Sequence, residues 1–170
     1  MSRSPLSPGA HDDPGHKLLI AGCSAPDIFK LLNAINGEGA RQFIPVGFID
    51  VDERKILEGH HGLPVWHQDR VSAAGFPGAA VAVNVANSMK LRWSVVHSLK
   101  AKGFIEFPAL VHPRVDTWGV NIGEGAMILQ GALLGPEVTI NDFSLILMGA
   151  MVNHEAKIGR CSFLGPGSIV

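Results

Sequence analysis

The 170-residue sequence predicts an α/β domain joined to a β-solenoid. Two observations predict this. Between Lys17 and residue 108, short apolar runs alternate with segments of helical period. From Ile122 to Val170 the chain repeats every six residues.

The opening stretch, MSRSPLSPGAHDDPGH, belongs to neither pattern. Pro, Ser, Gly and Asp bury too little surface to hold a fixed shape, so residues 1–16 are expected to be a disordered tail. His11 and His16 lie in or beside it and are read as solvated residues, not metal ligands. The tail has no apolar h-region, so it is not a secretory signal. No apolar run is long enough to span a bilayer. Lys and Arg number 14 against 15 Asp and Glu, which leaves no electrostatic case for a nucleic-acid or membrane partner. Cys23 and Cys161 are the only cysteines and have no C-x-x-C spacing. That excludes a disulfide framework and fits a reducing, cytoplasmic compartment.

The front elements follow in order. KLLIAG, Lys17 to Gly22, suits a buried parallel strand. Ile28, Leu31, Leu32 and Ile35 then share one helical face, with Gly37 and Gly39 as the stop. FIPVGFID, Phe43 to Asp50, is the second strand, and GAAVAVNVA, Gly78 to Ala86, is a later one. SMKLRWSVVHSLKAKG places Leu91, Val95, Val96 and Leu99 at helical spacing before Gly103. Strands alternating with helices imply a small Rossmann-like parallel sheet over residues 17–108. Ligands of such sheets bind at the carboxyl ends of the strands. The candidates are Gly22, Cys23 and Ser24 after the first strand, Asp50 and Asp52 after the second, and Asn87 with Ser88 after the later one. The alternative is that these are ordinary loop and cap residues, with Ser24 or Asp27 capping the first helix. The turn AGCSAPD lacks the dinucleotide fingerprint, which argues against NAD. A nucleotide held partly through Asp50 stays open.

The repeat region, 109–170, has a physical reason for each column. The first position of every hexapeptide is branched aliphatic, from Ile122 through Ile128, Leu134 and Ile140 to Leu164. The fifth is small, as at Ala126, Ala132, Ser144 and Ala150. Strands too short to bury themselves turn every six residues, and three close one coil around the aliphatic column. The Gly or Asn at the second position, as in Gly123, Gly135 and Asn153, is expected to take the positive φ of the bend. Stacked coils share one core, which is a parallel β-helix. His154 and Glu155 fall at the third and fourth positions of VNHEAK and face outward. They are either a catalytic pair or exposed polar residues. Outward apolar residues, including Leu129, Leu147, Met148 and Phe163, are expected to form a contact between copies.

The combination of LLIAGCSA, VGFIDVD, GLPVW, LRWSVVHSLKAKGF, LVHP and VNHEAKIG resembles the sugar acyltransferases of the PglD/NeuD family. The resemblance covers roughly Lys17 to Val170. It implies a left-handed β-helix and a homotrimer. It implies a front domain that binds a sugar nucleotide, and acetyl-CoA as donor. The acceptor would be a nucleotide-linked amino sugar or sialic acid in bacterial surface glycan synthesis. It makes His154 the general base and Glu155 its support. Three features depart from the family. Ala25, Pro26 and Asp27 stand where it has Gly-His-Gly, and Asp27 would repel a pyrophosphate. Phe163 stands where it has a second histidine. The chain ends at Val170, inside a repeat, whereas the family builds its acetyl-CoA site from later coils. These departures give the expectation that the 170-residue chain transfers weakly or not at all. The alternative is a non-catalytic sugar-binding or assembly module. A purely structural trimeric solenoid comes third.

Overall fold

The computed structural model describes residues 15–38 and 42–170. The readings of residues 1–14 as a disordered tail and of Gly39 as a helix stop lie outside them.

The front part is a parallel sheet covered on both faces. Strands β1 (His16–Ala21), β2 (Phe43–Asp50), β3 (Val65–His67) and β4 (Ala80–Val83) lie in the order β3-β2-β1-β4, all parallel. Successive residues of β1 point to opposite faces. Leu18 and Ile20 pack with Ile28, Leu31, Leu32 and Ile35 of helix α1 (Asp27–Glu38). Leu19 and Ala21 pack with Val95, Val96 and Leu99 of helix α3 (Met89–Ala101). Burial on both faces is why these strands read as unbroken apolar runs. A short helix, α2 (Glu53–Glu58), separates β2 from β3.

Three boundaries or faces differ from expectation. His16 is the first residue of β1 and not part of a tail; its N–H donates to Gln42 O at 2.9 Å. Helix α1 runs through Gly37 to Glu38. Gly37 has no positive φ, so the backbone stays helical through it, and glycine there weakens the helix without ending it. In α3 the residue turned inward is Arg92, fully buried, whereas Leu91 is 49% exposed.

The repeat region consists of two-residue parallel strands. They are β5 (Leu110–Val111), β6 (Asn121–Ile122), β7 (Met127–Ile128), β8 (Leu133–Leu134), β9 (Thr139–Ile140), β10 (Leu145–Ile146), β11 (Met151–Val152), β12 (Lys157–Ile158) and β13 (Phe163–Leu164). They pair into three ladders, β5-β7-β10-β13, β8-β11 and β6-β9-β12. Met127 pairs with Leu145 and Leu145 with Phe163, so the chain returns to a ladder every three hexapeptides. Ile128, Ile140, Ile146 and Val152 meet Ala126, Ala132, Val138 and Ala150 in one buried cluster. Both expected columns therefore lie inside.

The bend does not use the second position. Positive φ occurs at the fourth: Gly125, Gly131, Gly149 and Gly167, and also Glu137, Phe143, Glu155 and Cys161. Two of the second-position glycines, Gly123 and Gly135, answer to space. A Cβ on Gly123 would stand 2.6 Å from Asp142 N, and one on Gly135 2.6 Å from His154 N.

The three ladders present three different outer faces. Asn121, Thr139 and Lys157 make one polar. Leu133 and Met151, paired in register, make the second apolar and exposed, with Ile169 continuing it beside Met151. The third is covered by the front part of the chain, chiefly by helix α1. Met127, Leu129 and Leu145 are buried in the same cluster as Leu18, Ile28 and Leu31, with Leu147 and Met148 packed against it. The expectation that Leu129, Leu147 and Met148 await another copy is therefore corrected: their partner is the chain's own front domain. Phe163 stays 42% exposed.

Candidate functional site

Two clefts and one side-chain pair hold the candidate chemistry. The first cleft, about 240 Å³, opens at the carboxyl ends of the strands. Gly22, Ser24, Asp50, Asp52 and Asn87 line it, as the sequence placed them. Lys55, Gln68 and Leu91 line it too and were not among the candidates. The strand order puts β1 between β2 and β4, so this is where successive connections diverge and a crevice forms.

The geometry separates binding surface from scaffold. Asp50 accepts hydrogen bonds from the backbone N–H groups of Cys23 at 2.9 Å, Val51 at 2.7 Å and Asp52 at 3.1 Å. Burial pushes its pKa up, but hydrogen bonds from Cys23, Val51 and Asp52 outweigh that and hold it below the usual carboxylate range. Its carboxylate ties the ends of β1 and β2 together. Cys23 is buried beneath this tie, and burial, then the neighbouring Asp50, push its thiol up to about 12. Asp52 caps α2, taking the Arg54 N–H at 3.0 Å, and lies 3.9 Å from Lys55 Nζ. Ser88 caps α3 through the Leu91 N–H at 3.2 Å. Cys23 and Ser88 thus act as scaffold, while Ser24 and Asn87 face the cleft.

Ser24 and Asn87 also line a second cleft of about 260 Å³. Its far wall is the covered face of the repeats, with Met127, Leu145 and Phe163. Asp27 borders it, so the acidic residue of the first turn sits at this junction. Asn84 holds the near wall: its Nδ2 donates to Ala25 O at 2.8 Å and Gly22 O at 3.3 Å. A lone amide within VAVNVA was the available signal for this brace.

His154 and Glu155 stand on the corner that joins β11 to β12. His154 Nδ1 lies 3.3 Å from Glu155 Oε2, and the side chains are 62% and 70% exposed. The His154 N–H donates to Asn153 Oδ1 at 2.9 Å, and the Glu155 N–H to Pro136 O at 3.0 Å. Glu155 has φ 62°, so this corner, like those of Glu137, Phe143 and Cys161, carries a side chain where the other four carry glycine. The pair joins the two faces that the front domain leaves uncovered, and neither residue lines either cleft. Among the described residues, no helix is long and apolar enough to cross a membrane.

This arrangement, a parallel α/β sheet followed by short parallel ladders, is shared with several solved structures. The acetyltransferase domain of PglB from Neisseria gonorrhoeae FA1090, in complex with acetyl coenzyme A, superposes with a TM-score of 0.69 at 20% identity, covering 91% of this chain and 73% of that one. PerB from Caulobacter crescentus, in complex with CoA and GDP-perosamine, gives 0.70 at 21%, covering 90% and 70%. WeeI from Acinetobacter baumannii AYE gives 0.68 at 22%, covering 89% and 70%. At these identities the likeness is one of fold. No known family and no curated relative matches the sequence.

Proposed function

We propose that this chain is an acetyl-CoA-dependent acyltransferase-type protein acting on a nucleotide-linked amino sugar. Residues 17–108 form its Rossmann-like sugar-nucleotide domain and 109–170 its left-handed β-helix. The observation that carries the reading is the His154–Glu155 pair, 3.3 Å apart on an uncovered corner. Support comes from the shared fold, since the solved PglB domain holds acetyl coenzyme A and PerB holds CoA with GDP-perosamine.

In this reading the sugar amine attacks the thioester carbonyl. His154 Nε2 takes the amine proton as the C–N bond forms, and the CoA thiolate leaves. Glu155, 3.3 Å from Nδ1, orients the ring. No covalent enzyme intermediate is needed, and Cys23, with its thiol near 12, is unsuited to be one.

The first cleft holds the nucleotide, with Ser24 and Asn87 leading toward the second cleft. His154 stands on a corner away from the face that its own front domain covers. The sugar presented by one copy therefore meets the His154 of another, within a homotrimer. The exposed face of Leu133, Met151 and Ile169 is the contact between copies.

The test is free-thiol release from acetyl-CoA with UDP- and GDP-linked amino sugars. The release expected is weak, in keeping with the departures at Ala25, Pro26, Asp27 and Phe163; weak release that needs both substrates and fails in His154→Ala supports the reading. Nucleotide binding with no release would make the chain a non-catalytic sugar-binding module.

A further inference from the structure

A turn ahead of the first hexapeptide block shares a corner with His154. Trp118–Gly119, Pro136–Glu137 and His154–Glu155 are turns three hexapeptides apart, one in each coil. Gly119, Glu137 and Glu155 take left-handed φ values of 69°, 63° and 62°. The Glu137 N–H donates to Gly119 O and the Glu155 N–H to Pro136 O, each at 3.0 Å, so the three turns stack one on another.

Trp118 is the member of this column that the fold does not require. It is 81% exposed, whereas Trp66 and Trp93 are half-buried and pack on Phe76 and Phe143. Its backbone is nevertheless held. The Trp118 N–H donates to Asp116 Oδ1 at 2.9 Å, and the Val120 N–H to Thr117 O at 3.1 Å. An indole fixed at its root and left in water adds nothing to the core; it offers a rigid, low-entropy surface to another molecule.

The surroundings define that molecule. Asp116, Glu137 and Glu155 set carboxylates around the same corner. Glu137 has no ion-pair partner among the described residues, and Arg114 is taken by Glu38. An apolar protein face laid here would desolvate those charges without pairing them. A cation with apolar C–H surface fits both features, since Trp is the best of the aromatic rings for a ligand cation. The spacing suits a sugar ring. Coils rise ~4.8 Å each, so Trp118 lies about 10 Å from His154 along the column. A pyranose stacked ~4 Å from the indole, with its amine ~3 Å from an imidazole nitrogen, fills most of that rise.

We propose that Trp118 is the platform on which the acceptor's amino-sugar ring stacks beneath His154, with the Glu137 carboxylate facing the sugar ammonium. Trp118 is then a positioning residue, supplied by the copy that supplies His154. This inference rests on the acyltransferase reading given above.

Calorimetry on the full chain compares UDP and GDP with their amino-sugar conjugates. Only the sugar differs within each pair, so the affinity it adds reports on the platform. Wild type should bind a conjugate about tenfold more tightly than its bare diphosphate, and Trp118→Ala should lose roughly that factor. Affinity for UDP or GDP alone should not change, because Trp118 lines neither cleft. Trp118→Phe keeps a ring and should keep most of the gain. Glu137→Gln should weaken the amino-sugar conjugate and leave UDP-glucose, a neutral sugar, unaffected. Light scattering and a circular dichroism melt on each variant check assembly and folding. A gain that survives intact in Trp118→Ala, or is missing in wild type, overturns the inference and leaves the acyltransferase reading standing. A Trp118→Ala protein that dissociates makes the indole a contact between copies and overturns it too. No binding by any nucleotide overturns both.

Discussion

Gly135 lies against the backbone of His154 so closely that a Cβ on it would stand 2.6 Å from His154 N and 2.9 Å from its Cα. Gly135 has no positive φ, so its value is the missing side chain. Gly135→Ala must push the His154 corner outward. A displacement of about 1 Å at a reacting group costs on the order of 10²-fold in rate. If His154 is the base proposed above, the expected outcome is a fall of that order in kcat with an intact fold by circular dichroism. Gly159→Ala is the control: its Cβ would meet only Ser162 Oγ, at 3.5 Å. Equal activities in the two variants would show that the corner tolerates the shift.

Glu155 occupies a left-handed position that glycine holds at four of the eight corners, Gly125, Gly131, Gly149 and Gly167. A side chain there costs roughly 1–2 kcal/mol. Glu155→Gly should therefore raise stability to urea by about 1 kcal/mol while lowering acetyl transfer. His154→Ala should remove ~10²–10⁴-fold of rate, the usual share of a general base. A Glu155→Gly protein that is both more stable and fully active would reduce Glu155 to a surface residue.

Arg114 clasps Glu38 through two hydrogen bonds, 3.0 Å and 2.9 Å, joining the end of α1 to the loop after β5. The Arg114 guanidinium holds the Glu38 carboxyl below its ordinary 4.5. A lowered acid pKa adds stability above the unfolded value, and the addition disappears as pH falls through the lowered value. The melting temperature of Glu38→Gln should thus lie below wild type at pH 7 and converge with it toward pH 3. Both groups are exposed, so the difference at pH 7 should shrink in high salt. A gap that persists at pH 3 would point to packing and not charge.

The columns of the repeat were legible because burial dictates residue type: Ile128, Ile140 and Val152 can face only inward. The helical stripe Ile28, Leu31, Leu32 and Ile35 was legible for the same reason. What period could not show was which neighbour covers an outward residue. Leu129 and Leu133 look alike in sequence, yet one is buried on the front domain and the other exposed. Nor does residue type reveal φ when Glu137, Phe143, Glu155 and Cys161 occupy a glycine conformation. Arg92 and Gln68 carried no sequence signal, because their partners, Phe143 and Ser98, lie far off along the chain.

The exposed Leu133–Met151–Ile169 face should govern assembly. Wild type is expected to scatter light as a species of about three times the 18.1 kDa chain, a closed cyclic oligomer. Leu133→Glu places a charge on that face and should yield folded monomer, because Leu133 is 59% exposed within its own chain. Leu129→Glu carries the same chemistry to the covered face and should instead unfold the junction. A trimer that survives Leu133→Glu would move the contact elsewhere.

Arg92 is the bolt between the two parts of the chain. Its Nε donates to Phe143 O at 2.7 Å, and its Nη1 to Val83 O and, at 3.1 Å, to Val85 O. It is fully buried, and its pKa is pushed from 12.5 to about 10 by that burial, so it stays charged at neutral pH. Its partners are three backbone carbonyls, two at the end of β4 and one at a corner of the repeats. Arg92→Met removes an expensive buried charge but leaves those carbonyls without donors. Each buried acceptor left unsatisfied costs about 1–3 kcal/mol, so the net loss should be about 3 kcal/mol by urea denaturation. Arg92→Lys keeps the charge but cannot fork to three acceptors, and should lose nearly as much. Val85 and Asn87 line the first cleft, so, on the reading proposed above, the loosened β4 end should also weaken nucleotide binding in both variants. A loss below about 1 kcal/mol in Arg92→Met would mean that water reaches the carbonyls, and that packing of Leu129 and Leu145 on the front sheet holds the junction unaided.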